Sequence, residues 1–417
     1  MDSFIIRGPC HLDGSVSISG AKNAVLPLMV ASILTSGRCT LSNVPDLRDT
    51  RTMMKLLKVL GASTSLSDGT LTVDTSSIDR FEASYDLVRT MRASIYALGP
   101  LLARFGQARV SMPGGCAWGP RPVNLHIKGM KALGADIRIE HGYIVATADG
   151  LRGATIILLL PSVGATVNII LAAVLAEGTT VIENAAREPE IIELVTALKS
   201  GGAKIEGEGT SSITIEGVRD ILPFTYRVIP DRIEAGTFAA AAVMTGSSVE
   251  MKSCRPDHMQ AIIEKLEQCG AKIQVTESSM RVTGPSEIAA VDIETGFYPS
   301  FPTDMQAQMM AVLCLANGAS TISEHVYPDR FTHVPELRRL GAKINLDGNV
   351  AVVFGTDRLE GAPVMATDIR ASSALILGGL VADGETKILR VYHIDRGYEC
   401  IEEKLRALGA DITRVKD

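Results

Sequence analysis

The chain has 417 residues, 41 basic and 47 acidic, for a formal charge of −6, and 46% of them are apolar while 4% are aromatic. That length suits two or three domains, and the apolar content supports a large core, which excludes intrinsic disorder. The acidic balance, the lack of long Lys/Arg blocks and the scarcity of aromatic rings exclude a nonspecific nucleic-acid binder.

In chain order, MDSFIIRGPCHLDG has neither the basic region nor the apolar core of a secretory signal. The stretch NAVLPLMVASILTSG (23–37) is apolar on nearly every side, which predicts a buried helix closed by a left-handed glycine, Gly37. After a strand, DTRTMMKLLKVLG (49–61) carries its charges on one face and predicts an exposed amphipathic helix, then two strands. This order recurs. The buried-helix glycines are Gly37, Gly106, Gly178, Gly246, Gly318 and Gly384, spaced 69, 72, 68, 72 and 66. The Gly-Ala phrases behind the second helix place Ala62, Ala135, Ala203, Ala271, Ala342 and Ala410 at intervals of 73, 68, 68, 71 and 68. Two landmarks with one period imply six α/β units of strand, helix, strand, helix, strand, strand, most simply two lobes of three around a ligand cleft. The most membrane-like segment, 155–178, is broken by Pro161, Ser162, Gly164 and Thr166. It falls short of the roughly 18 apolar residues a spanning helix needs, and predicts a buried strand, a turn and a core helix.

The starts of the buried helices hold ionic groups. Glu234, Asp304 and Asp368 suit the positive end of a helix dipole and read equally as plain caps. Lys22, Arg92, Arg232 and Arg370 oppose that dipole, which makes sense where a bound anion offsets both; for each alone, a salt bridge or a solvated surface is the plainer reading. The loops after the following strands supply Arg48, Arg121, Arg187, Arg255, Arg330 and Arg396. Equivalent positions would gather these into a basic cleft suited to a small, multiply charged substrate, since the guanidinium fork pairs with phosphate and carboxylate.

The seven cysteines form no CxxC pair and the histidines no metal spacing, so zinc ribbon, disulfide scaffold and metal site are not expected, and a reducing cytoplasm is. Cys39, Cys254, Cys269, Cys314 and Cys400 read as buried and inert. PGGCAWGPRP (113–122) is different: its glycines and prolines predict a bent or mobile loop that gives Cys116 no apolar pocket. At an unperturbed pKa near 8.5 only about 3% of that thiol is ionised at pH 7, so it is mostly a proton donor, more nucleophilic beside arginines. The residues alone leave a catalytic and a passive Cys116 both open. No P-loop, GxGxxG after a strand or GxSxG elbow is present.

SGAKNA (19–24), TMRAS (90–94), the PGGC loop with GPRP, SVGAT (162–166), ENAAREPEI (183–191), PDRIE (230–234), FPTDMQAQ (301–308), TDIRAS (367–372) and HIDRGYE (393–399) resemble the UDP-N-acetylglucosamine enolpyruvyl transferase family, within the EPSP synthase superfamily. The likeness runs in order from residue 4 to about residue 415. It implies six βαβαββ repeats forming two inside-out α/β barrels, one lobe of residues 22–229 and the other of 1–21 with 230–417. The implied reaction moves the enolpyruvyl (1-carboxyvinyl) group of phosphoenolpyruvate to the 3-hydroxyl of UDP-N-acetylglucosamine and releases phosphate, the first committed step of peptidoglycan synthesis. It implies no metal or cofactor, no nucleic acid or membrane partner, and a cytoplasmic monomer.

By the same resemblance, Cys116 is the general acid, able to form an adduct with the enolpyruvyl group and to react with fosfomycin, and Asp304 is the base. Lys22, Asn23, Arg121, Asp368, Arg370 and Arg396 are implied at phosphoenolpyruvate. Asn23, Arg92, Arg121, Pro122, Val123, Asn124, Leu125, Ser162, Val163, Gly164, Asp304 and Val326 are implied at the nucleotide sugar, with Arg330 in support. Leu160 and Asn124 depart from a lysine and an aspartate of some relatives. The alternatives are 5-enolpyruvylshikimate-3-phosphate synthase, which lacks the PGGC loop, and a noncatalytic nucleotide-sugar sensor, in which loss of Cys116, Asp304 or Arg396 would be expected.

Overall fold

A computed structural model describes residues 2–88, 91–112 and 123–416. Cys116, Trp118, Pro120, Arg121 and Pro122 lie outside the described residues.

Six helices are wrapped by protein on nearly all sides because their sequences are small or apolar all round: Lys22–Ala31, Leu98–Phe105, Val163–Ala173, Arg232–Met244, Gln306–Leu313 and Ile369–Val381. All 13 residues of Arg232–Met244 are buried, Arg232 and Glu234 among them. The second helices are one-sided. Arg48–Val59 turns Met53, Leu56 and Leu57 inward at helical spacing and leaves Lys55 and Lys58 in solvent. Each such leucine contributes about 1.5–3 kcal/mol on burial, so the stripe fixes which face docks.

The strands follow one pattern. Thr155–Ile157 runs parallel to Thr179–Glu183, with Ile156 opposite Ile182. A parallel pair needs a crossover, and Val163–Ala173 supplies it. Thr179–Glu183 then pairs antiparallel with Ser212–Glu216, whose other neighbour is Lys204–Glu206. Five other sheets repeat this order. In three of the six, one strand comes from a distant part of the chain. Thr225–Arg227 lies beside Arg38–Ser42, Asp13–Ser17 beside Ser248–Lys252, and Asp2–Gly8 between Gly384–Leu389 and Ile412–Lys416, with Phe4 opposite both Ile388 and Arg414.

The described residues fall into two compact units, residues 2–19 with 230–416, and residues 20–229. Each has its own apolar core and three of the repeated sheets. Gly20 and Ala21 belong with the Lys22 helix. Ala21 N–H donates to Ile229 C=O at 2.7 Å, and a Cβ on Gly20 would fall 1.9 Å from Asn43 C=O.

Three expectations need correction. Gly106, Gly178, Gly246, Gly318 and Gly384 take positive φ, between 60° and 122°, but Gly37 does not. Close packing requires Gly37 instead, because its Cβ would meet Pro223 Cγ at 2.7 Å. Strand Thr155–Ile157 is an edge, not a buried strand, and Ile157, Leu159 and Leu160 are exposed. Cys400 is exposed as well, and stands just before helix Ile401–Ala407 in a left-handed conformation with φ 45°. Among the described residues no helix is long and apolar enough to cross a membrane.

Candidate active site

In the unit of residues 2–19 and 230–416, the polar groups converge on Asp304. Phe301–Pro302 is a short strand, and the turn Thr303–Met305 then leads into helix Gln306–Leu313. No side chain caps that turn, so the Asp304 carboxylate is left for other partners. Arg330 Nη2 stands 2.8 Å from Oδ1, and Arg370 Nη2 stands 2.5 Å from Oδ2. Such charge-assisted pairs fix both position and orientation. Burial opposes the charge on Arg370, but Asp304, with Tyr398 and Asp231 nearby, outweighs it and the guanidinium pKa stays above its ordinary value.

Asp368 does something else. It caps helix Ile369–Val381, accepting from Arg370 N–H at 2.7 Å and Ala371 N–H at 3.0 Å on Oδ1, while Oδ2 accepts from Thr332 at 3.0 Å and Thr367 at 3.1 Å. Both oxygens are thus occupied, and the residue aims Arg370 by fixing the helix start. Asp231 plays the same part for Arg232–Met244, through Ile233 and Glu234 N–H. Glu234 is no cap: its buried carboxylate pairs with Lys404 Nζ at 2.6 Å and accepts Ser19 N–H at 2.7 Å. The three helix-start carboxylates that the sequence groups together therefore have three different partners.

A buried hydroxyl cluster backs the site. Tyr398 Oη lies 2.8 Å from Thr237 Oγ1 and 3.5 Å from Arg370 Nη1, and Gln308 Nε2 donates to Asp304 C=O at 3.0 Å. Burial pushes the Tyr398 hydroxyl above its ordinary pKa, so it stays protonated. Arg396 ends the turn Val391–Arg396 and is half-buried. Its neighbour Asp395 is gripped through both oxygens by Arg414, at 2.5 and 3.1 Å, and Arg414 also holds Glu402 at 2.6 Å. Val326 is half-buried, its N–H donating to Glu324 at 2.9 Å.

In the unit of residues 20–229, Lys22 and Asn23 open a helix whose N-cap, Ala21, offers no side chain to the first turn. That helix packs on the turn Arg92–Ala97, which Arg92 opens, and the turn packs on helix Val163–Ala173. Ser162 caps the latter, Oγ accepting from Ala165 N–H at 3.3 Å. Gly164 lies against His126: a Cβ there would sit 3.2 Å from both Cε1 and Nε2 of the ring. His126 Nδ1 is 3.0 Å from Asn168 Nδ2, while Asn168 Oδ1 accepts Gly99 N–H at 2.7 Å. Nδ1 must therefore accept, which puts the ring proton on Nε2. Burial lowers the His126 pKa to about 4, so the ring is neutral. Asn124 opens helix Asn124–Ala132 in solvent, Val123 precedes it half-buried, and Leu125 packs into the core.

The structure thus joins Asp304, Arg330 and Arg370 directly, with Asp368 behind them. The six loop arginines are not alike: Arg330 is buried, whereas Arg255 is paired with Asp257 at 2.6 Å and Arg187 donates to Gly209 C=O at 3.2 Å, both in exposed settings. Sequence reasoning passes over Thr303, Glu324, Tyr398 and Lys404. Thr303 and Tyr398 stand inside FPTDMQAQ and HIDRGYE but are given no role there, and Glu324 and Lys404 lie in no quoted motif.

The family described as EPSP synthase (3-phosphoshikimate 1-carboxyvinyltransferase) matches residues 6–405. A protein of Geotalea uraniireducens (strain Rf4) named UDP-N-acetylglucosamine 1-carboxyvinyltransferase is 52% identical over 417 residues, covering 100% of both chains. One of that name from Desulforapulum autotrophicum is 54% identical, again over 100% of both. The crystal structure of the enolpyruvyl transferase NikO from Streptomyces tendae superposes with a TM-score of 0.91 at 27% identity, covering 100% of this chain and 99% of that one. EPSP synthase from Acinetobacter baumannii shares the fold, with a TM-score of 0.76 at 16% identity over the full length of both. Two relatives more than half identical from end to end, together with the family match, decide the kinship: the chain belongs to the UDP-N-acetylglucosamine 1-carboxyvinyltransferase family, within the EPSP synthase family.

Proposed function

We propose that the chain transfers the enolpyruvyl group of phosphoenolpyruvate to the 3-hydroxyl of UDP-N-acetylglucosamine and releases phosphate, the first committed step of peptidoglycan synthesis. The structural observation that carries this reading is the Asp304 carboxylate held between Arg330 and Arg370, charged, oriented and a quarter exposed. A carboxylate so held and still open to a ligand can take the proton of a substrate hydroxyl. General-base assistance of this kind contributes about 10²–10⁴-fold.

The atoms balance as follows. Asp304 takes the 3-hydroxyl proton as that oxygen bonds to C2 of phosphoenolpyruvate, while Cys116 gives a proton to the C3 methylene. The Cys116 thiolate takes a proton back from the new methyl, which restores the double bond as the C2–O bond to phosphate breaks. The phosphate leaves with that electron pair. Alternatively the Cys116 S–H adds across the C2–C3 double bond, sulfur to C2 and proton to C3, and the sugar oxygen later replaces the sulfur at C2, the S–C2 electron pair returning to Cys116 as thiolate.

Lys22, Arg121 and Arg396 hold the phosphoenolpyruvate anions, with Asn23 and Arg370 beside them and Asp368 fixing Arg370. Each charged hydrogen bond contributes about 1.5–3 kcal/mol. Asn23, Arg92, the segment Arg121 to Leu125, Ser162 to Gly164, Asp304 and Val326 receive the nucleotide sugar. The enzyme works as a cytoplasmic monomer.

Phosphate release in the presence of phosphoenolpyruvate tests the reading. Turnover should require UDP-N-acetylglucosamine. Turnover that instead requires shikimate 3-phosphate would overturn the choice of acceptor, and an absence of phosphate release with either acceptor would leave the noncatalytic sensor in its place.

A further inference from the structure

Glu324 has no part in the steps above, yet it is fully buried at the end of strand Ala319–Ser323. A buried carboxylate persists only where its oxygens are hydrogen-bonded. Four donors meet this one. Oε1 accepts from Thr295 Oγ1 at 2.8 Å and from the Val326 and Tyr327 N–H groups at 2.9 Å each. Oε2 accepts from Thr303 Oγ1 at 2.9 Å.

A hydroxyl has a single proton. With that proton given to Glu324, Thr303 Oγ1 faces Arg330 as an acceptor, and Arg330 Nη1 lies 2.9 Å away. The same guanidinium holds Asp304 Oδ1 through Nη2 at 2.8 Å. Arg330 can only donate, so Thr303 accepts from it and gives its one proton to Glu324, and the line from Glu324 through Thr303 and Arg330 to Asp304 closes only with an acceptor at Glu324.

We propose that Glu324 is a positioning residue for enolpyruvyl transfer: through Thr303 it fixes Arg330 against Asp304, and through two backbone N–H groups it fixes the loop carrying Val326. This rests on Asp304 being the base. The arrangement also predicts what an amide would do at this place. Three donors converge on one oxygen of Glu324 and only Thr303 on the other, so Glu324→Gln turns its NH₂ toward Thr303. Donors then reach that hydroxyl from both sides, and its proton loses its acceptor.

Steady-state phosphate release by the full chain and its variants tests the proposal. Thr303→Val keeps the shape and leaves Glu324 its other three donors. It should lower kcat by about 10- to 100-fold while both KM values stay within about threefold, as expected for a misplaced catalytic group. Thr303→Ser, which returns the hydroxyl, should restore kcat to within about threefold of the parent. Glu324→Gln should lower kcat at least as far as Thr303→Val and also raise KM for UDP-N-acetylglucosamine, because the Val326 loop is loosened. If that variant does not fold, the two Thr303 variants decide alone. Asp304→Asn reports on the base assignment separately. An active Asp304→Asn overturns that assignment. An inactive Asp304→Asn beside a fully active Thr303→Val overturns only the relay, as does a Thr303→Ser that stays as slow as Thr303→Val.

Discussion

Arg370 and Asp304 meet at 2.5 Å with unequal exposure, the guanidinium side chain 7% accessible and the carboxylate 25%. Arg330, at 6%, is equally hidden on the other oxygen. Both cations are largely hidden, and the anion between them is the most exposed member of the three. In a partly dehydrated setting such pairs persist only with close geometry, which fixes the carboxylate before any substrate arrives.

Asp304→Asn should therefore separate chemistry from folding. The amide keeps one acceptor oxygen for one guanidinium, but it cannot take a proton. We expect kcat to fall by about 10²–10⁴-fold. Stability should fall by about 2–4 kcal/mol, because both buried arginines lose their counter-charge and one of them faces the amide NH₂. Single-turnover phosphate release and urea unfolding measure the two. A kcat within a few-fold of the parent removes Asp304 from the chemistry.

Cys116→Ser should abolish or strongly reduce turnover, and it should prevent covalent labelling by an epoxide phosphonate such as fosfomycin, read by intact-mass spectrometry. A serine hydroxyl is a far weaker acid than a thiol, whereas Cys116→Asp supplies another proton donor and should keep some activity. Full activity in the serine variant removes the proton-donor role. Complete inactivity of the aspartate variant assigns the sulfur adduct a necessary part.

The fold was legible because burial writes itself into composition. A helix such as Arg232–Met244, hidden on all sides, has to be small and apolar beyond its first turn, and six such stretches at one interval announce six units. Helix-start chemistry was legible only as a set of charges. Asp304, Asp368 and Glu234 look alike in sequence, yet one is held by two arginines, one caps a helix and one pairs with Lys404. For Asp304 and Glu234 that sorting depends on partners 26 to 170 residues away, whereas Asp368 is told apart by backbone N–H groups two and three residues on. Gly37 misleads for a similar reason: its need comes from Pro223, which no local pattern connects to it. Glu324 was invisible because a buried acid with four donors has no sequence signature of its own.

Acid should destabilise the chain through His126. Burial holds its pKa near 4 in the folded state, against an ordinary value of 6.5. Between those values the unfolded chain binds a proton that the folded chain refuses, so stability rises with pH across the window and is lost as pH falls through it. The span of 6.5 to 4 corresponds to up to about 3 kcal/mol. His333, also buried, is shifted the same way and adds to the slope. His126→Gln keeps an acceptor for Asn168 without titrating. Urea midpoints at pH 7 and 4.5 should fall less in that variant than in the parent; equal losses would mean that His126 is not the acid-sensitive group.

Gly164→Ala tests whether the start of helix Val163–Ala173 receives the nucleotide sugar. The added methyl would lie 3.2 Å from two atoms of the His126 ring and 3.6 Å from Tyr96 Cε1. The ring cannot simply withdraw, since Asn168 holds it and the core surrounds it. The helix start must shift by a few tenths of an ångström instead. Overpacking of this kind costs about 1–3 kcal/mol, partly offset by roughly 1 kcal/mol of helix propensity gained over glycine. The fold should survive, while KM for UDP-N-acetylglucosamine rises about tenfold, equivalent to roughly 1.4 kcal/mol, and KM for phosphoenolpyruvate changes little. Trimming the obstacle should cancel the effect: in a His126→Ala background, Gly164→Ala should raise that KM no further. An unchanged KM in the single variant would place the nucleotide sugar elsewhere, and a rise that persists without the ring would assign the loss to the methyl's direct contact with the ligand.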